Sequence, residues 1–402
     1  MKDARSVASR LALSLIATIV SSGLSWAQPS AAAVPNVVAT VLQPFIDSHT
    51  LAGAVTLVAS KDKVLDVEAV GYADIAAKKP MRTDCLFWIA SQSKPIAATA
   101  LMMLVDEGKV NVNDPVEKYL PEFQGQMVIA EQDQDHVLLK KPKHPITIRN
   151  LLTHTSGLRP VSPVEEAGAD LLPIRASVRS YAMLPLLFEP DSKSLYSNAG
   201  VITVGRIVEV VSGMPYEDFL DQRLLRPLGM KDTTFWPSTE QLKRLAKSYK
   251  PGPGKKGLEE TPIVKLTYPL DNRRRQARPA GGLFSTATDL SLFYRMIAQG
   301  GVLAGRRYLS ERSVQQMTTK QTGVLRTPYG FCFGTGGGRI GHGGSYGTNS
   351  SYDPKHQLIT IYLVQQTGWR AKAGKKILAA VQEAVTMAFG TQPIPRQGSA
   401  EK

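Results

Sequence analysis

Ser91 and Lys94 stand three residues apart at the start of the apolar run IASQSKPIAATALMMLV, Ile89 to Val105. Most lysines are solvated surface groups, so a charge at the mouth of such a run needs a reason. If a helix begins at Ser91, positions i and i+3 lie ~5–6 Å apart at Cβ, and the Lys94 ammonium reaches the serine hydroxyl. That geometry fits a nucleophile and its activator. The helix N-terminus adds free N–H donors and a positive dipole end, which favour an alkoxide and any oxyanion formed upon it. Pro95 lacks an N–H and fits only within that first turn. By itself the S-x-x-K spacing is a weak signal that arises by chance in many chains.

A second candidate nucleophile is Ser345, because Gly343-Gly344-Ser345-Tyr346-Gly347 matches the G-x-S-x-G elbow and Asp353 and His356 follow in triad order. An elbow needs a strand before it and a helix after it. Here the polar stretch TNSSYDPKHQ leads into the strand-like LITIYLVQQ, and no alternation of strands and helices precedes it. Ser91 is therefore the stronger candidate. The two cysteines, Cys85 and Cys332, form no CxxC and have no histidine at metal-ligand spacing, so neither a zinc site nor a cofactor is expected. Both are expected to be unpaired core residues, Cys85 ahead of the Ser91 helix and Cys332 on an apolar strand.

The elements that must position these groups follow from periodicity. Apolar pairs recurring every four residues predict a helix in VVATVLQPFI (Val37 to Ile46). GAVTLVAS and VLDVEAVGYAD, joined by Lys61-Asp62-Lys63, predict a hairpin, and the run after Ser91 predicts a helix ending at Gly108. Between there and about Asn272, helical segments such as AGVITVGRIVEVVSG alternate with proline-rich loops. YGFCFGTG, RIGHGGSYGTNSSYD and QLITIYLVQQ read as consecutive strands, and KKILAAVQEAVTMAFG as a closing amphipathic helix. Strands at both ends of a chain with helices between most simply make one sheet into which a helical domain is inserted. The expected boundaries are 37–107 and 273–390 for the α/β domain, 108–272 for the helical domain and 391–402 for a tail. The site is expected at their interface.

A chain of 402 residues with 43% hydrophobic residues can bury a large core, which excludes disordered and collagen-like classes. Lys2, Arg5 and Arg10, the apolar LALSLIATIV and the small residues up to Ser25-Trp26-Ala27 have the pattern of a secretory signal over residues 1–27. The apolar stretch is broken by Ser21, Ser22 and Gly23, short of the ~20 residues a span needs. An exported protein, periplasmic or extracellular and with no transmembrane span in the mature chain, is expected. The net charge is +14, of which the leader contributes +2. The basic residues lie in separate clusters, KKPKH (Lys140 to His144), RRRQAR (Arg273 to Arg278) and RAKAGKK (Arg370 to Lys376), without interleaved aromatics. They read as solvated surface rather than a nucleic-acid platform.

Ser91-x-x-Lys94 is followed in order by LLTHTSGL (Leu151 to Leu158), Tyr196-Ser197-Asn198, PAGGLFSTATDL (Pro279 to Leu290) and GHGGS (Gly341 to Ser345). Together these motifs resemble the serine β-lactamase superfamily, in the branch of class C β-lactamases, D-alanyl-D-alanine carboxypeptidases and family VIII carboxylesterases, over roughly Val37 to Gly390. The resemblance implies a β-lactamase-like fold of class α/β plus α, an antiparallel sheet from both chain ends flanked by helices with an inserted all-α domain. It implies Ser91 as the acylated nucleophile, Lys94 as its activator, Tyr196 as general base and Asn198 as a polar contact to substrate or lysine. It also implies an oxyanion hole from the backbone N–H groups of Ser91 and Ser345, with Gly343 and Gly344 letting an acyl chain approach. A tyrosine base must fall from a pKa near 10 towards 7, about 3 units or ~4 kcal/mol, which one ammonium ~4 Å away supplies at an effective dielectric near 20. His342 stands where class C β-lactamases have lysine, and is expected to donate to Tyr196 or to a substrate carboxylate. His154 is expected to organise its loop, and Thr286 or Thr288 to cap a helix. The expected substrate is a small ester or a peptide-like acyl compound, with cell-wall material as a second class. A non-catalytic binding protein on the same scaffold is the remaining alternative.

Overall fold

The computed structural model of the chain describes residues 36–165, 170–369 and 373–390. The expected leader (1–27) and tail (391–402) lie outside the described residues. The first helix spans Val37–Asp47, and its buried side chains, Val38, Leu42 and Ile46, recur every four residues as the pattern required. A hairpin of Gly53–Ala59 and Val64–Asp74 follows. The central sheet has six antiparallel strands in the order 340–343, 349–353, 358–363, 53–59, 64–74 and 79–80, so both ends of the chain feed one sheet.

Strand Gly53–Ala59 is buried along its whole length because both faces of the sheet are covered. Val55, Leu57 and Ala59 enter the larger core, whereas Ala54 and Val58 enter a second one, the period of two that a pleated strand imposes. That second core is closed by the helices Val37–Asp47 and Ala373–Phe389, and helix Ala287–Ala298 lies against strands 53–59 and 358–363. Thr286 is the N-cap of helix 287–298, its hydroxyl accepting from the Asp289 N–H at 3.3 Å.

Two of the expected strands are not single strands. YGFCFGTG is not a strand: Phe331, Cys332 and Phe333 are all fully buried, Cys332 adopts φ +59°, and its N–H reaches the Leu152 carbonyl at 3.0 Å. The run is a tight loop packed on all sides. RIGHGGSYGTNSSYD is likewise not one strand but two, Ile340–Gly343 and Asn349–Asp353, joined by a turn. The middle of the chain also contains two short ribbons, 128–132 with 137–140 and 249–251 with 258–260, beside its helices. Both cysteines are free and buried. Among the described residues no helix is long and apolar enough to cross a membrane, and no group of three or more His, Cys, Asp or Glu could hold a metal ion.

Candidate active site

Ser91 sits in a single 3-10 turn, Ala90–Gln92, just ahead of helix Ser93–Asp106 rather than on the helix itself. Ala90 before it has φ +47°, a conformation L-residues rarely adopt and one that sites of chemistry often retain. Lys94, one turn on, is completely buried, and its Nζ lies 3.1 Å from Ser91 Oγ, 2.8 Å from Asn198 Oδ1 and 2.6 Å from the Ala280 carbonyl. The last two partners only accept here. They therefore fix two N–H bonds of the amine and leave its third direction facing Ser91. Burial pulls the Lys94 pKa from 10.5 to about 7, with the cations of Arg278 and Lys265 pushing the same way.

Tyr196 lies on the loop leading into helix Asn198–Ser212, whose N-cap is Ser197. His154 holds that loop from both sides. Its carbonyl accepts the Leu195 N–H at 2.9 Å and its ring Nδ1 accepts the Ser197 N–H at 3.3 Å. The Tyr196 hydroxyl faces Ser91, and Lys94 Nζ lies 4.8 Å from the ring centroid. Its pKa lies above the ordinary phenol value rather than below it: loss of solvent around the hydroxyl pushes it up, although the residue as a whole is 45% exposed, and the contact with Ser91 pulls the other way.

The turn Gly343–Thr348 brings Ser345 beside the nucleophile. A Cβ at Gly344 would lie 2.2 Å from Thr348 Oγ1 and 2.6 Å from the Ile89 carbonyl, so only glycine lets this turn approach the strand end before Ser91. Ser91, Tyr196, Asn198, His342 and 343–345 all line one cleft of about 760 Å³, with Lys265 and Arg278 on its wall. His342 is placed differently from expectation. Both of its ring nitrogens are committed, Nδ1 to the Gly343 carbonyl at 2.7 Å and Nε2 to the Tyr329 hydroxyl at 3.1 Å, while the Tyr196 ring is 6.1 Å away between centroids. Burial, then Lys94, lower its pKa to about 4, so it is neutral near pH 7.

A family model described as Beta-lactamase matches residues 38–384. Protein Rv1367c of Mycobacterium tuberculosis is 34% identical over 356 residues, 79% of this chain and 87% of that protein. The chain belongs to the beta-lactamase family. Esterase EstB of Burkholderia gladioli is 35% identical over 208 residues, covering 48% of this chain and 50% of that protein. Two solved structures share the fold. EstCE1, a hydrolase with promiscuous acyltransferase activity, aligns with TM-score 0.72 at 24% identity over 88% of this chain and 98% of its own. Simvastatin synthase (LovD) of Aspergillus terreus aligns with TM-score 0.73 at 19% identity over 90% and 98%. This member of the family is thus a serine hydrolase by its relatives and β-lactamase-like in fold.

The rival elbow at Ser345 has no helix after it, since the turn joins two antiparallel strands. Asp353 and His356 pair with each other at 2.9 Å and, with Arg339, close the far end of strand 349–353. RRRQAR is not a solvated patch. Arg275 is 2% exposed, bound to buried Asp170 at 3.0 Å, Arg278 pairs with Glu165 at 3.2 Å, and Arg273 lies over the Trp236 ring. Two groups at the site went unseen in the sequence. The Ala280 carbonyl belongs to a motif read as turn and cap, and Tyr329 to a segment read as strand. A backbone oxygen leaves no mark in a residue string. Tyr329 had one available signal, a tyrosine beside glycine in a run otherwise apolar.

Proposed function

We propose that this protein is an exported carboxylesterase that hydrolyses short-chain esters through an acyl-enzyme at Ser91. The observation that carries the hydrolase chemistry is the Lys94 pocket, an amine near its neutral point with two N–H bonds tied and its remaining direction on Ser91 Oγ. Neutral Lys94 takes the hydroxyl proton as Ser91 Oγ attacks the acyl carbon. The backbone N–H groups of Ser91 and Ser345 hold the oxyanion. As the intermediate collapses, the C–O bond to the leaving alcohol breaks, and the proton passes from Lys94 to that oxygen by way of the Tyr196 hydroxyl. Tyr196 thus works as a protonated relay in place of the base role expected of it, in keeping with a phenol whose pKa lies above its ordinary value. Water then repeats the sequence on the acyl-enzyme with the same groups.

Ester hydrolysis rather than β-lactam hydrolysis follows from His342, which is neutral and has both nitrogens engaged, so the third motif carries no permanent cation for a lactam carboxylate. The activity named for EstB favours the same choice. Export rests on the leader pattern of residues 1–27. A D-alanyl-D-alanine carboxypeptidase is the second reading, favoured by Lys265 on the cleft wall, where a terminal carboxylate would find positive charge. The test is kcat/KM for p-nitrophenyl acetate and butyrate against a cephalosporin and a D-Ala-D-Ala peptide between pH 6 and 9. The esters are expected to turn over fastest, and faster turnover of either competitor overturns the esterase choice.

A further inference from the structure

Four hydrogen bonds run in series behind the cleft, and their directions are determined by their ends. The Ser197 N–H, which can only donate, points at His154 Nδ1 at 3.3 Å. His154 Nε2 meets the Tyr329 hydroxyl at 3.2 Å, and the same hydroxyl meets His342 Nε2 at 3.1 Å. His342 Nδ1 meets the Gly343 carbonyl, which can only accept, at 2.7 Å. Neutral His154 must then carry its proton on Nε2 and donate it to Tyr329. Neutral His342 must carry its proton on Nδ1, which leaves Nε2 bare to accept the single proton of Tyr329. No other placement of protons on neutral rings satisfies all four contacts. Burial depresses both histidine pKa values, Lys94 adds to this in each case, and burial raises that of Tyr329, so the neutral forms prevail at working pH. The titratable groups facing the series are Lys94, Tyr196, Tyr294 and Cys332, and burial holds the last three protonated.

The series ends on the turn that carries Ser345. The Gly343–Gly344 peptide is gripped at its oxygen by His342 and at its N–H by the Thr348 carbonyl, 2.7 Å away. The next carbonyl, that of Gly344, accepts the Gly347 N–H at 3.0 Å and so faces into the turn. In a trans peptide the N–H points opposite to the carbonyl, so the Ser345 N–H faces out of the turn, and Ser345 lines the cleft. We infer that Tyr329 is a positioning residue: by donating to His342 Nε2 it anchors the ring whose Nδ1–H grips the Gly343 carbonyl, and through that carbonyl this aims the Ser345 N–H at the acyl oxygen. The inference rests on the proposed role of that N–H as an oxyanion donor, but the tautomers themselves do not.

The test therefore reads the tautomers and the rate separately, on the full chain. Nitrogen-15 NMR of histidine-labelled protein between pH 6 and 8 should show His342 protonated at Nδ1 and His154 at Nε2, assigned with His342→Asn and His154→Asn. In Tyr329→Phe the His342 Nε2 resonance should move to that of a bare nitrogen that accepts no hydrogen bond, and kcat for p-nitrophenyl butyrate should fall about tenfold with KM within about twofold, a fraction of the 10²–10³ lost when an oxyanion donor is removed outright. His342→Asn, whose short amide still offers an N–H to the Gly343 carbonyl, should lose less kcat than His342→Leu. A wild-type His342 protonated at Nε2, or a Tyr329→Phe protein with an unchanged His342 spectrum, overturns the positioning role whatever the substrate. Correct tautomers in a protein that hydrolyses no ester would instead count against the proposed function and leave the proton arrangement standing.

Discussion

The Lys94 pocket and the His154–Tyr329–His342 series both border Tyr196, with the Lys94 ammonium 4.8 Å and the His154 ring 4.5 Å from its ring centre. Burial disfavours the charged form in both places, so the shifts have the same sign. The outcomes differ because the starting points differ. A lysine beginning at 10.5 arrives at about 7 and can take up and release a proton at working pH. A histidine beginning at 6.5 arrives at about 4 and no longer can. One low-dielectric environment thus makes a base of the lysine and a fixed structural group of the histidine. The partners differ accordingly, acceptors around Lys94 and alternating donors and acceptors along the histidine series.

Lys94→Ala should lower kcat for p-nitrophenyl butyrate by about 10³ or more, since it removes the base and leaves Ser91 an ordinary hydroxyl. Steady-state kinetics on protein with an unchanged circular dichroism spectrum checks this. Arg275→Ala should act on stability instead, because it strands the buried Asp170 carboxylate. Breaking such a pair costs about 3–5 kcal/mol, read as a lower urea midpoint. Tyr196→Phe should lower kcat by about 10², with a larger loss for alkyl esters than for p-nitrophenyl esters, whose leaving group needs no proton. The smallest effect separates the two clusters by pH. His154 and His342 bind protons less readily folded than unfolded, so stability is complete above about pH 6.5 and declines as pH falls from there towards 4, by at most ~1.4 kcal/mol per pH unit for each. Lys94 acts in a different window. Its lowered pKa makes stability rise with pH between about 7 and 10.5. Urea midpoints from pH 4 to 10 test both slopes, and His154→Asn should flatten only the acid limb.

Much of this was legible from residue types. Regular apolar periods announced the helix Val37–Asp47, the hairpin 53–74, the strand 358–363 and the closing helix 373–389, because each buries one face or both against one of the two cores that flank the sheet. Ser91, Lys94, Tyr196 and Asn198 declared themselves through spacing and order, and the structure brings all four together. Buried loops and buried charges were illegible. Phe331–Phe333 has the composition of a strand, but its neighbours enclose it on all sides and Cys332 breaks the pleat with φ +59°. Arg275 looks like any surface arginine until Asp170, 105 residues earlier, is seen beside it. The commitment of His342 to Tyr329 and Gly343 likewise depends on a loop whose path no local pattern encodes.

The central claim is that Lys94, near its neutral point, activates Ser91. The most direct measurement is the second-order rate of labelling by a fluorophosphonate across pH 5 to 9, with the modified residue located by mass spectrometry. The account predicts a label on Ser91, retained in Ser345→Ala and absent in Ser91→Ala, and a rate that rises with pH through a single inflection near 7 as Lys94 loses its proton. A label on Ser345, or labelling of Ser91 with no inflection between pH 6 and 8, would contradict it.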